Sequence, residues 1–441
     1  MDYKNKKIAV LGAGESGEAA AILLAEEHAM VTLLDGADEK KLQAKIDGFR
    51  RLGLPISVIA GEAASRDTGH YDRAIISPGI DPAVPLVQNF IRRRIDMIGE
   101  LELAYELCKC PVVAITGTNG KTTTTQLVER MFNGCGVRTI ACGNISPAFA
   151  ATVRKSSELD IMTLEVSSFQ LEQIRTFRPR IAVWLNLSAN HLDRYNSMEE
   201  YRDAKLNIFQ NQTEEDVAVV NLRDTLPPLK ARKITFSAYQ QGGDFELRGD
   251  VIFHHGEPVL KMSETKLRGL HNAENLMAAL AVGYAHGLGH AQMVEPLSTY
   301  TALPHRCEFI RRFEEVDYIN DSKSTNLDSL EKALMSETRP IVLIAGGKDK
   351  GFEFDALAEL VGRKAHHAIL IGQMADRIAS SWKAGVACEK ADSLSHAVQL
   401  ARAHAKAGDA VLFSPGTSSF DMFKSYEDRG NQFRALVLSL T

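Results

Sequence analysis

An apolar run that passes into glycines, a lysine and four threonines is the strongest chemical signal in the chain. Gly117 and Gly120 allow backbone conformations that other residues resist, so nearby N–H groups can converge on phosphate oxygens at the positive end of the following helix. Lys121 adds a positive charge near the terminal phosphates, and Thr122 offers a hydroxyl to a bound Mg²⁺. Ile115 stands where the strict pattern G-x-x-x-x-G-K-[ST] has its first glycine, so this pattern is only partly matched. The segment therefore predicts a strand, a phosphate loop and a helix; the alternative is an ordinary glycine turn with an incidental lysine.

Other polar side chains are candidates for the metal chemistry that accompanies a phosphate loop. Glu165 ends a second apolar run, where a carboxylate can hold Mg²⁺ directly or through water. His191 and Asp193 lie in a polar loop after the next apolar run. A lone histidine is commonly structural, but after Glu165 and Lys121 a metal role for His191 is favoured. Lys205 follows in a helical pattern and is, in isolation, an ordinary helix lysine.

The first hundred residues carry a second glycine turn. Gly12, Gly14 and Gly17 separate an apolar run from an alanine-rich helix, and Asp35 ends the next apolar run. This is the G-x-G-x-x-G turn of Rossmann-like domains. Read alone, it predicts a dinucleotide site with Asp35 on a ribose, but sugar-nucleotide domains use the same turn. Residues 77–80 follow another apolar run and either line the same sheet edge or form a plain turn.

The remaining chain alternates strand and helix patterns, with one interruption. Residues 233–262 alternate in short pieces between glycine turns, which predicts a small antiparallel sheet. Asn272 and Asn275 are three apart on one face of an alanine-rich helix, where their amides can read a base or a ribose; Asn272 can equally cap the helix. Three apolar runs after residue 340 end in short polar residues, as strands do at the ligand-binding edge of an open α/β sheet.

These patterns predict an α/β protein with three domains. A Rossmann-like domain is expected over residues 1–99, a central phosphate-loop domain over residues 100–303, and a second Rossmann-like domain over residues 304–441. The central domain combines a mainly parallel sheet with the small antiparallel sheet. The length of 441 residues suits this division.

The overall composition excludes several classes of function. A hydrophobic content of 45%, a charged content of 24% and a net charge of −5 are typical of a soluble globular protein with no general attraction to nucleic acid. No run reaches the ~18 to 20 apolar residues of a membrane span, and the first residues lack the features of a signal peptide, so a cytoplasmic location is expected. The six cysteines have neither C-x-x-C spacing nor neighbouring histidines at zinc spacing, and are expected to be reduced.

Several of these motifs occur together in an order that resembles the Mur ligases, the ATP-dependent amino-acid ligases of peptidoglycan precursor synthesis. The motifs that carry this resemblance are residues 116–122, 165–168, 186–193, 271–275, 303–306 and 320–323. Segments nearer the carboxyl terminus look most like those of the family member that adds D-glutamate, namely residues 346–350, 414–423 and 428–430. The resemblance covers nearly the whole chain.

The resemblance implies small-molecule substrates and a role for each matching residue. The substrates are ATP, UDP-N-acetylmuramoyl-L-alanine and D-glutamate, with two Mg²⁺, and the protein is expected to be a monomer. The first, central and third domains then bind the UDP-sugar, ATP and the amino acid. The residues implied to bind ATP are Gly117, Thr118, Asn119, Gly120, Lys121, Thr122, Thr123, Asn272, Asn275, Arg306, Asp321 and Lys323. Those implied to hold metal are Thr122, Glu165, His191 and Lys205, the last as a carbamate, and the implied catalytic residues are Lys121, Glu165, His191 and Lys205. The UDP-substrate residues are Asp35, Asn144, Ser167 and His191, and the D-glutamate residues are Thr325, Lys350, Ser419 and Phe420.

The implied reaction converts a substrate carboxylate into an acyl phosphate, which the D-glutamate amine attacks through a tetrahedral intermediate. Domain closure is the expected gate. Three features depart from the family pattern: Asn190 replaces the usual aspartate, Ser146 replaces a glycine, and the turn at residues 12–17 looks more like a dinucleotide turn than the family requires. Three alternatives remain: an NAD-dependent oxidoreductase, a nucleotide-binding regulatory module without catalysis, and a Mur ligase for another amino acid. Within the family, the last is the main runner-up; the Asp-Asn-Pro-Arg motif of the diaminopimelate-adding relative is missing, which lowers that option.

Overall fold

The structure, a computed structural model, describes residues 2–188, 195, 197–301, 304–337, 339–349 and 352–441. The chain divides into two compact units, Met1–Tyr300 and Thr301–Thr441. Two sheets belong to the described part of the first unit, and one sheet to that of the second. The division of the chain into three domains at residues 99 and 303 stays a prediction. Among the described residues, no helix is both long and apolar enough to cross a membrane.

A parallel sheet occupies the start of the first unit. Its elements are β1 (Lys7–Leu11), α1 (Glu15–Glu26), β2 (Met30–Asp35), α2 (Glu39–Arg51), β3 (Ile56–Ala60), α3 (Glu62–Ser65), β4 (Arg73–Ile76), α4 (Pro85–Arg92), β5 (Met97–Gly99) and α5 (Glu100–Leu107). Within residues 2–107, all described, five parallel strands have the order β3-β2-β1-β4-β5. Parallel strands need crossover connections, which the intervening helices provide.

A larger mixed sheet follows in the same unit. Its strands are β6 (Val112–Thr116), β7 (Ala141–Gly143), β8 (Met162–Glu165), β9 (Ile181–Trp184), β10 (Val217–Asn221), β11 (Arg232–Ser237), β12 (Phe245–Arg248), β13 (Val251–His254) and β14 (Glu257–Lys261). Its helices are α6 (Lys121–Gly134), α7 (Phe149–Thr152), α8 (Ser168–Leu171), α9 (Met198–Leu206), α10 (Leu270–His286) and α11 (His290–Ser298), with 3₁₀ turns at Val153–Glu158, Asn207–Phe209 and Met262–Glu264. In the part of the chain that is described, the strand order is β14-β13-β12-β11-β10-β9-β6-β8-β7. The predicted antiparallel strands β12 to β14 are present and continue the edge of the parallel sheet.

Burial explains why the strands next to the phosphate loop are continuous apolar runs. Every residue of β6, β8, β9 and β10 is buried, because helices cover both faces of a parallel sheet. One hydrophobic cluster joins the two sheets of the first unit, from Ile8 and Val10 through Phe149 and Leu164 to Trp184. The first two sheets therefore share a core.

The second unit is a six-stranded sheet with helices on both faces. Its elements are β15 (Glu308–Phe313), β16 (Val316–Asn320), α12 (Leu327–Ser336), β17 (Ile341–Gly346), a 3₁₀ turn (Phe354–Leu357), α13 (Ala358–Lys364), β18 (Ala365–Ile371), α14 (Ala375–Trp382), β19 (Ala387–Lys390), α15 (Leu394–His404), β20 (Ala410–Phe413) and α16 (Tyr426–Leu438). The strand order over its described residues is β15-β16-β20-β17-β18-β19, and β15 is antiparallel to its neighbour. Separate apolar clusters cover the two faces of the sheet. The predicted α/β fold class is confirmed.

Candidate active site

The carboxyl ends of four parallel strands bring the central candidates to one sheet edge. Strands β7, β8, β6 and β9 are neighbours and parallel, so their last residues lie side by side. Glu165 is the last residue of β8, and its register partners are Ile115 on one side and Gly143 on the other. Gly143 has a φ of 111°, and a Cβ there would collide with the Glu165 carbonyl oxygen. The backbone beside Glu165 therefore requires glycine.

The Glu165 carboxylate joins the helix of the phosphate loop to the loop after β7. Its Oε2 accepts a hydrogen bond from Thr122 Oγ1 at 2.7 Å, and its Oε1 accepts one from Asn144 Nδ2 at 2.8 Å. The Asn144 backbone N–H also donates to the Glu165 carbonyl oxygen at 2.8 Å. The side chain of Glu165 is only 3% exposed, and both of these side-chain donors are neutral. A buried carboxylate held in this way can exchange its donors for a cation, which suits a magnesium ligand.

The phosphate loop has the geometry of an anion site. Gly120 lies at φ 82° and caps α6, whose first turn contains no acidic residue. Lys121 Nζ donates to the carbonyl oxygens of Gly117 and Thr118 at 2.9 and 3.0 Å, so the ammonium lies over the loop. The partial positive charge of the helix start and the lysine charge therefore act at the same place.

The strand β9 side of the loop is held by an asparagine. The Asn186 side chain accepts from the backbone N–H of Asn119 at 2.9 Å and donates to the Asn119 carbonyl oxygen at 3.1 Å. The Thr118 backbone N–H donates to the Asn186 carbonyl oxygen at 2.9 Å, and Thr118 Oγ1 lies 3.3 Å from the Tyr201 hydroxyl. These contacts fix the loop from both its backbone and its side chains.

Lys205 lies beneath the same loop. It is 1% exposed, its Nζ donates to the Gly117 carbonyl oxygen at 3.0 Å, and the ammonium lies 4.6 Å from the centre of the Tyr201 ring. Lysine is seldom fully buried without a specific role or partner, so this is not the position of an ordinary helix lysine. Its carbamylation stays a prediction. His191, together with Asn190 and Asp193, lies outside the described residues.

Asn272 and Asn275 are close together, as their spacing predicts. Thr124 Oγ1 donates to Asn275 Oδ1 at 3.2 Å, and Asn275 Nδ2 donates to Asn272 Oδ1 at 3.2 Å. A Cβ on Gly120 would collide with the Asn275 amide oxygen, so this pair lies against the phosphate loop. Gly269 is the N-cap of α10, and Asn272 instead donates to the Arg268 carbonyl oxygen at 2.8 Å. The alternative that Asn272 caps this helix is therefore wrong.

The predicted UDP-substrate residues have separate local roles. Asp35 accepts the backbone N–H groups of Ala13 and Ala37 at 2.6 and 2.8 Å, and so ties the first glycine turn to the end of β2. Ser167 caps α8, where its Oγ accepts from the Gln170 backbone N–H at 3.3 Å. Asn144, by contrast, directly contacts Glu165. A substrate role for each of these residues stays a prediction.

In the second unit, Asp321 lies directly after β16. It is 7% exposed and accepts from Ser414 Oγ at 2.7 Å and from the Cys307 backbone N–H at 3.1 Å. Burial raises the pKa of Asp321 to about 7. Lys323 donates to the Tyr426 hydroxyl at 3.1 Å with its ammonium 4.8 Å from that ring's centre. These two groups lie at the same strand-end edge of the sheet.

Arg306 is partly buried in this unit. Its Nε has no hydrogen-bond partner among the described residues and is shielded from solvent. A buried donor of this kind needs an acceptor, and a ligand oxygen is one candidate. The predicted nucleotide role of Arg306 is consistent with that requirement.

The described members of the predicted D-glutamate set, Thr325, Ser419 and Phe420, follow strands at the same edge. Ser419 is 2% exposed and Phe420 is 66% exposed, whereas Thr325 is half-buried. The backbone of Lys348 pairs with Ser418 at 2.9 Å, which joins the loop after β17 to the loop after β20. Lys350 lies outside the described residues.

Other contacts in these two sites were not assigned from the sequence. Arg429 is fully buried and donates to Ser322 Oγ, to the Ser322 carbonyl oxygen and to the Thr417 carbonyl oxygen at 3.0, 2.7 and 3.2 Å. Burial lowers the pKa of this guanidinium to about 10. Its only sequence signal was the motif at residues 428–430. The sequence signal for Tyr201 was weaker: this residue lies four positions before Lys205, on the same face of the helix.

Comparison with known proteins agrees with this geometry. The family model of the Mur ligase middle domain matches residues 115–283, and that described as "Mur ligase, glutamate ligase domain" matches residues 305–416. UDP-N-acetylmuramoylalanine--D-glutamate ligases from Geotalea uraniireducens (strain Rf4) and Trichlorobacter lovleyi are 41% identical over 450 residues and 40% identical over 449; these matches cover 100% of this chain and 99% and 100% of the relatives.

Solved structures show the same fold at lower identity. The UDP-N-acetylmuramate-alanine ligase of Thermotoga maritima has a TM-score of 0.57 at 19% identity, covering 99% of this chain and 100% of that one. The MurF ligase of T. maritima, solved in complex with ADP, has a TM-score of 0.56 at 17% identity, covering 92% and 93%. The fold, the family models and the full-length relatives thus define an α/β ligase. The chain belongs to the Mur ligase family.

Proposed function

We propose that the chain is an ATP-dependent ligase that joins D-glutamate to UDP-N-acetylmuramoyl-L-alanine, releasing ADP and phosphate, in peptidoglycan precursor synthesis. The observation that carries the proposal is the buried Glu165 carboxylate between Thr122 of the phosphate loop and Asn144. The choice of substrates is supported by the shared name of full-length relatives about 40% identical to this chain.

The donor set at this edge fits a magnesium-bound triphosphate. Thr122 offers a hydroxyl oxygen and Glu165 a carboxylate, which are the oxygen ligands that Mg²⁺ prefers. His191 and a carbamylated Lys205 are the proposed ligands of a second ion. Bound there, Mg²⁺ would reduce the repulsion between the triphosphate and the substrate carboxylate.

The chain's own residues have distinct parts in the proposed reaction. The alanine carboxylate of the UDP-sugar attacks the γ-phosphorus, the bond to ADP breaks, and an acyl phosphate results. Lys121, over the loop, stabilises the charge that develops on the phosphate oxygens. The amine of D-glutamate then attacks the acyl carbon, and phosphate leaves from the tetrahedral intermediate.

The proposed amino-acid site belongs to the second unit. D-Glutamate brings two carboxylates, so its site needs a cation together with short hydroxyl or backbone donors. Ser419 and Thr325 are the proposed hydroxyl donors, Lys350 is the proposed cation, and Phe420 is the proposed wall of the site. The proposal also places the protein in the cytoplasm as a monomer that acts on small molecules and binds no nucleic acid.

An amino-acid panel tests the reaction directly. Phosphate release is measured with ATP and UDP-N-acetylmuramoyl-L-alanine, adding D-glutamate, L-alanine, L-lysine or diaminopimelate in turn. We expect D-glutamate to support by far the fastest release, and no release when the UDP-sugar is omitted. Faster release with another amino acid would refute the D-glutamate assignment, and none with any amino acid would refute the ligase.

The amino-acid site has its own test. Lys350→Ala should raise the KM for D-glutamate by about tenfold to a hundredfold, the scale of a charge-assisted contact of roughly 1.5 to 3 kcal/mol, and leave the KM for ATP nearly unchanged. Lys348, exposed and two residues earlier, is the matched control, and Lys348→Ala should leave both constants unchanged. Equal effects of the two variants would remove Lys350 from the site.

A further inference from the structure

A group of side chains that could hold a metal ion lies in the second unit, away from the loop edge of its sheet. Among the described residues, His367, Glu389 and His404 are the group of three whose ligand atoms all lie within 4.8 Å of one another. His404 Nε2 is 2.8 Å from Glu389 Oε2, and His367 Nε2 is 3.8 Å from the same oxygen. We propose that these three side chains form a binding site for a zinc-like transition-metal ion, with water completing the coordination.

Three separate elements bring the ligands together. His367 is in β18, Glu389 is in the edge strand β19, and His404 is in the last turn of α15. In the sheet register Ile369 pairs with Glu389, so the two side chains lie on the same face of the sheet. His367 is two residues before Ile369 in β18, and its side chain is therefore on that face as well. That face packs against α15, since Ile369 shares a buried cluster with Ala397 and Ala401. The fold therefore directs all three side chains into one space.

The chemistry of the group favours a transition metal over magnesium. Two imidazoles and one carboxylate are a common ligand set for Zn²⁺, whereas Mg²⁺ prefers oxygen ligands. A cation at this place is also stabilised by the negative end of α15, because His404 belongs to the helix's last turn. Burial lowers the pKa of His367, with a further contribution from the neighbouring His404, and this direction favours the neutral ring that metal binding requires.

The two rings must adjust for both to bind one ion. Their centres are 3.6 Å apart and their planes differ by 14°, so the nitrogen lone pairs lie in two nearly parallel planes and cannot both point at one ion. One ring has to turn by rotation about its side-chain bonds. The His404 side chain is 34% exposed at the end of a helix and has room for this movement, while His367 is 17% exposed and is held in the strand.

The position of the group separates it from the proposed catalysis. His367 is four residues before the last residue of β18, so it lies about 13 Å along the strand from the loop edge of the sheet. An ion there would join the edge strand β19 to α15. We therefore assign it a stabilising role for this edge, with no part in phosphoryl transfer.

Zinc titration of the full-length protein tests the site. The protein is stripped of metal with a chelator, and Zn²⁺ binding is measured by calorimetry in the presence of millimolar Mg²⁺. We expect the wild-type to bind one more equivalent than the double variant His367→Ala/His404→Ala, and the melting temperature to rise with Zn²⁺ in the wild-type alone. Because the chain has 13 histidines and six cysteines that can bind zinc elsewhere, the difference of one equivalent is the decisive quantity.

Two controls make the result specific. His366, the sequence neighbour of His367, lies with its Nε2 2.9 Å from Asp409 Oδ2, so His366→Ala should keep the equivalent that the double variant loses. Glu165→Gln should also keep it, which separates this ion from one at the proposed active site. Glu389→Gln should weaken binding at least tenfold, and it provides a milder variant if the double variant does not fold. Equal zinc stoichiometry in the wild-type and double variant, or unchanged affinity in Glu389→Gln, would overturn the proposal.

Discussion

The first unit contains two strand–turn–helix segments that look alike in sequence and differ in what they present to a ligand. The turn after β1 leads into α1, whose first turn carries Glu15 and Glu18. The loop after β6 leads into α6, which starts with Lys121 and has no acid in its first turn. Glycines build both turns, but negative charge at a helix start offsets the attraction for phosphate that a lysine strengthens. The charges in the first helical turn of α1 and of α6, more than the glycines, therefore distinguish the two segments.

The acidic residues of the two segments, Asp35 and Glu165, differ in the groups that donate hydrogen bonds to them. Asp35 uses both oxygens on backbone N–H groups, which are part of the fold. Glu165 uses both on the side chains of Thr122 and Asn144, which can rotate away. Gly17 adds to the contrast, because a Cβ there would collide with the Gly12 carbonyl oxygen. The first glycine turn thus uses its contacts mainly for packing, whereas Glu165, beside the loop after β6, is held by side chains that a ligand can displace. This contrast disfavours the dinucleotide alternative.

The largest effect on turnover is expected for Lys121 of the phosphate loop. Lys121→Ala should lower turnover by at least about a hundredfold, because a preorganised charge over the phosphates is lost. Glu15→Ala, the matched change at the other helix start, should leave turnover within about twofold, since Glu15 is exposed. Steady-state phosphate release measures both, and circular dichroism confirms folding. Comparable losses in the two variants would break the distinction between the segments.

The next effect is at the carboxylate of the proposed metal site. Glu165→Gln keeps the shape of the side chain but removes its charge, and should lower turnover by roughly tenfold to a hundredfold, the scale for disturbing a metal environment. The loss should appear mainly in kcat, and extra Mg²⁺ should recover only part of it. The melting temperature should change little. Unchanged kcat at saturating ATP and Mg²⁺ would return Glu165 to a structural role.

Motif order and apolar runs were enough to predict both segments, because buried parallel strands are continuous apolar runs with short polar residues at their ends. The edge strands β15 and β19 were not predicted. In β15, Arg311 and Arg312 interrupt a half-buried pattern. In β19 no residue is fully buried, whereas the equally short β8 and β9 are buried throughout. Strands of this kind owe their pairing to the adjacent strand, so their own sequence carries little signal.

The candidate site shows the same limit. The sequence predicted which residues end the strands, and thus that Lys121 and Glu165 lie at one edge. It did not predict that Asn144 would contact Glu165, or that Asn275 would contact Thr124 across 151 residues of chain. Such pairs depend on how helices pack on the sheet, which local patterns do not specify.

A smaller effect is expected for Asp35, the acidic residue that contacts the glycine turn after β1. In Asp35→Asn one acceptor oxygen becomes an amide donor that faces a backbone N–H, so the free energy of unfolding should fall by about 1 to 3 kcal/mol. Urea denaturation of the two proteins measures the difference. Turnover at saturating substrates should be nearly unchanged, and a higher KM for the UDP-sugar alone would show that Asp35 also contacts that substrate. A large fall in kcat with normal stability would contradict this expectation and would give the glycine turn after β1 a part in turnover like that proposed for the loop after β6.

The smallest effect concerns how the phosphate loop is supported. Thr124 Oγ1 donates to Asn275 Oδ1 inside the protein, and Asn275 lies against Gly120 of the loop. Thr124→Val nearly keeps the volume and removes this one hydrogen bond, so the free energy of unfolding should fall by about 1 kcal/mol. Among the described residues, the Asn275 side chain then keeps its hydrogen bond to Asn272 alone, so the KM for ATP should rise severalfold while kcat stays close to that of the wild-type. Thr125→Val is the matched control: Thr125 is also buried in α6, but its hydroxyl has no hydrogen-bond partner among the described residues. If Thr125→Val raises the KM for ATP as much as Thr124→Val does, the side-chain support from α10 does not position the loop, and the loop would be held by its backbone, as the first turn is.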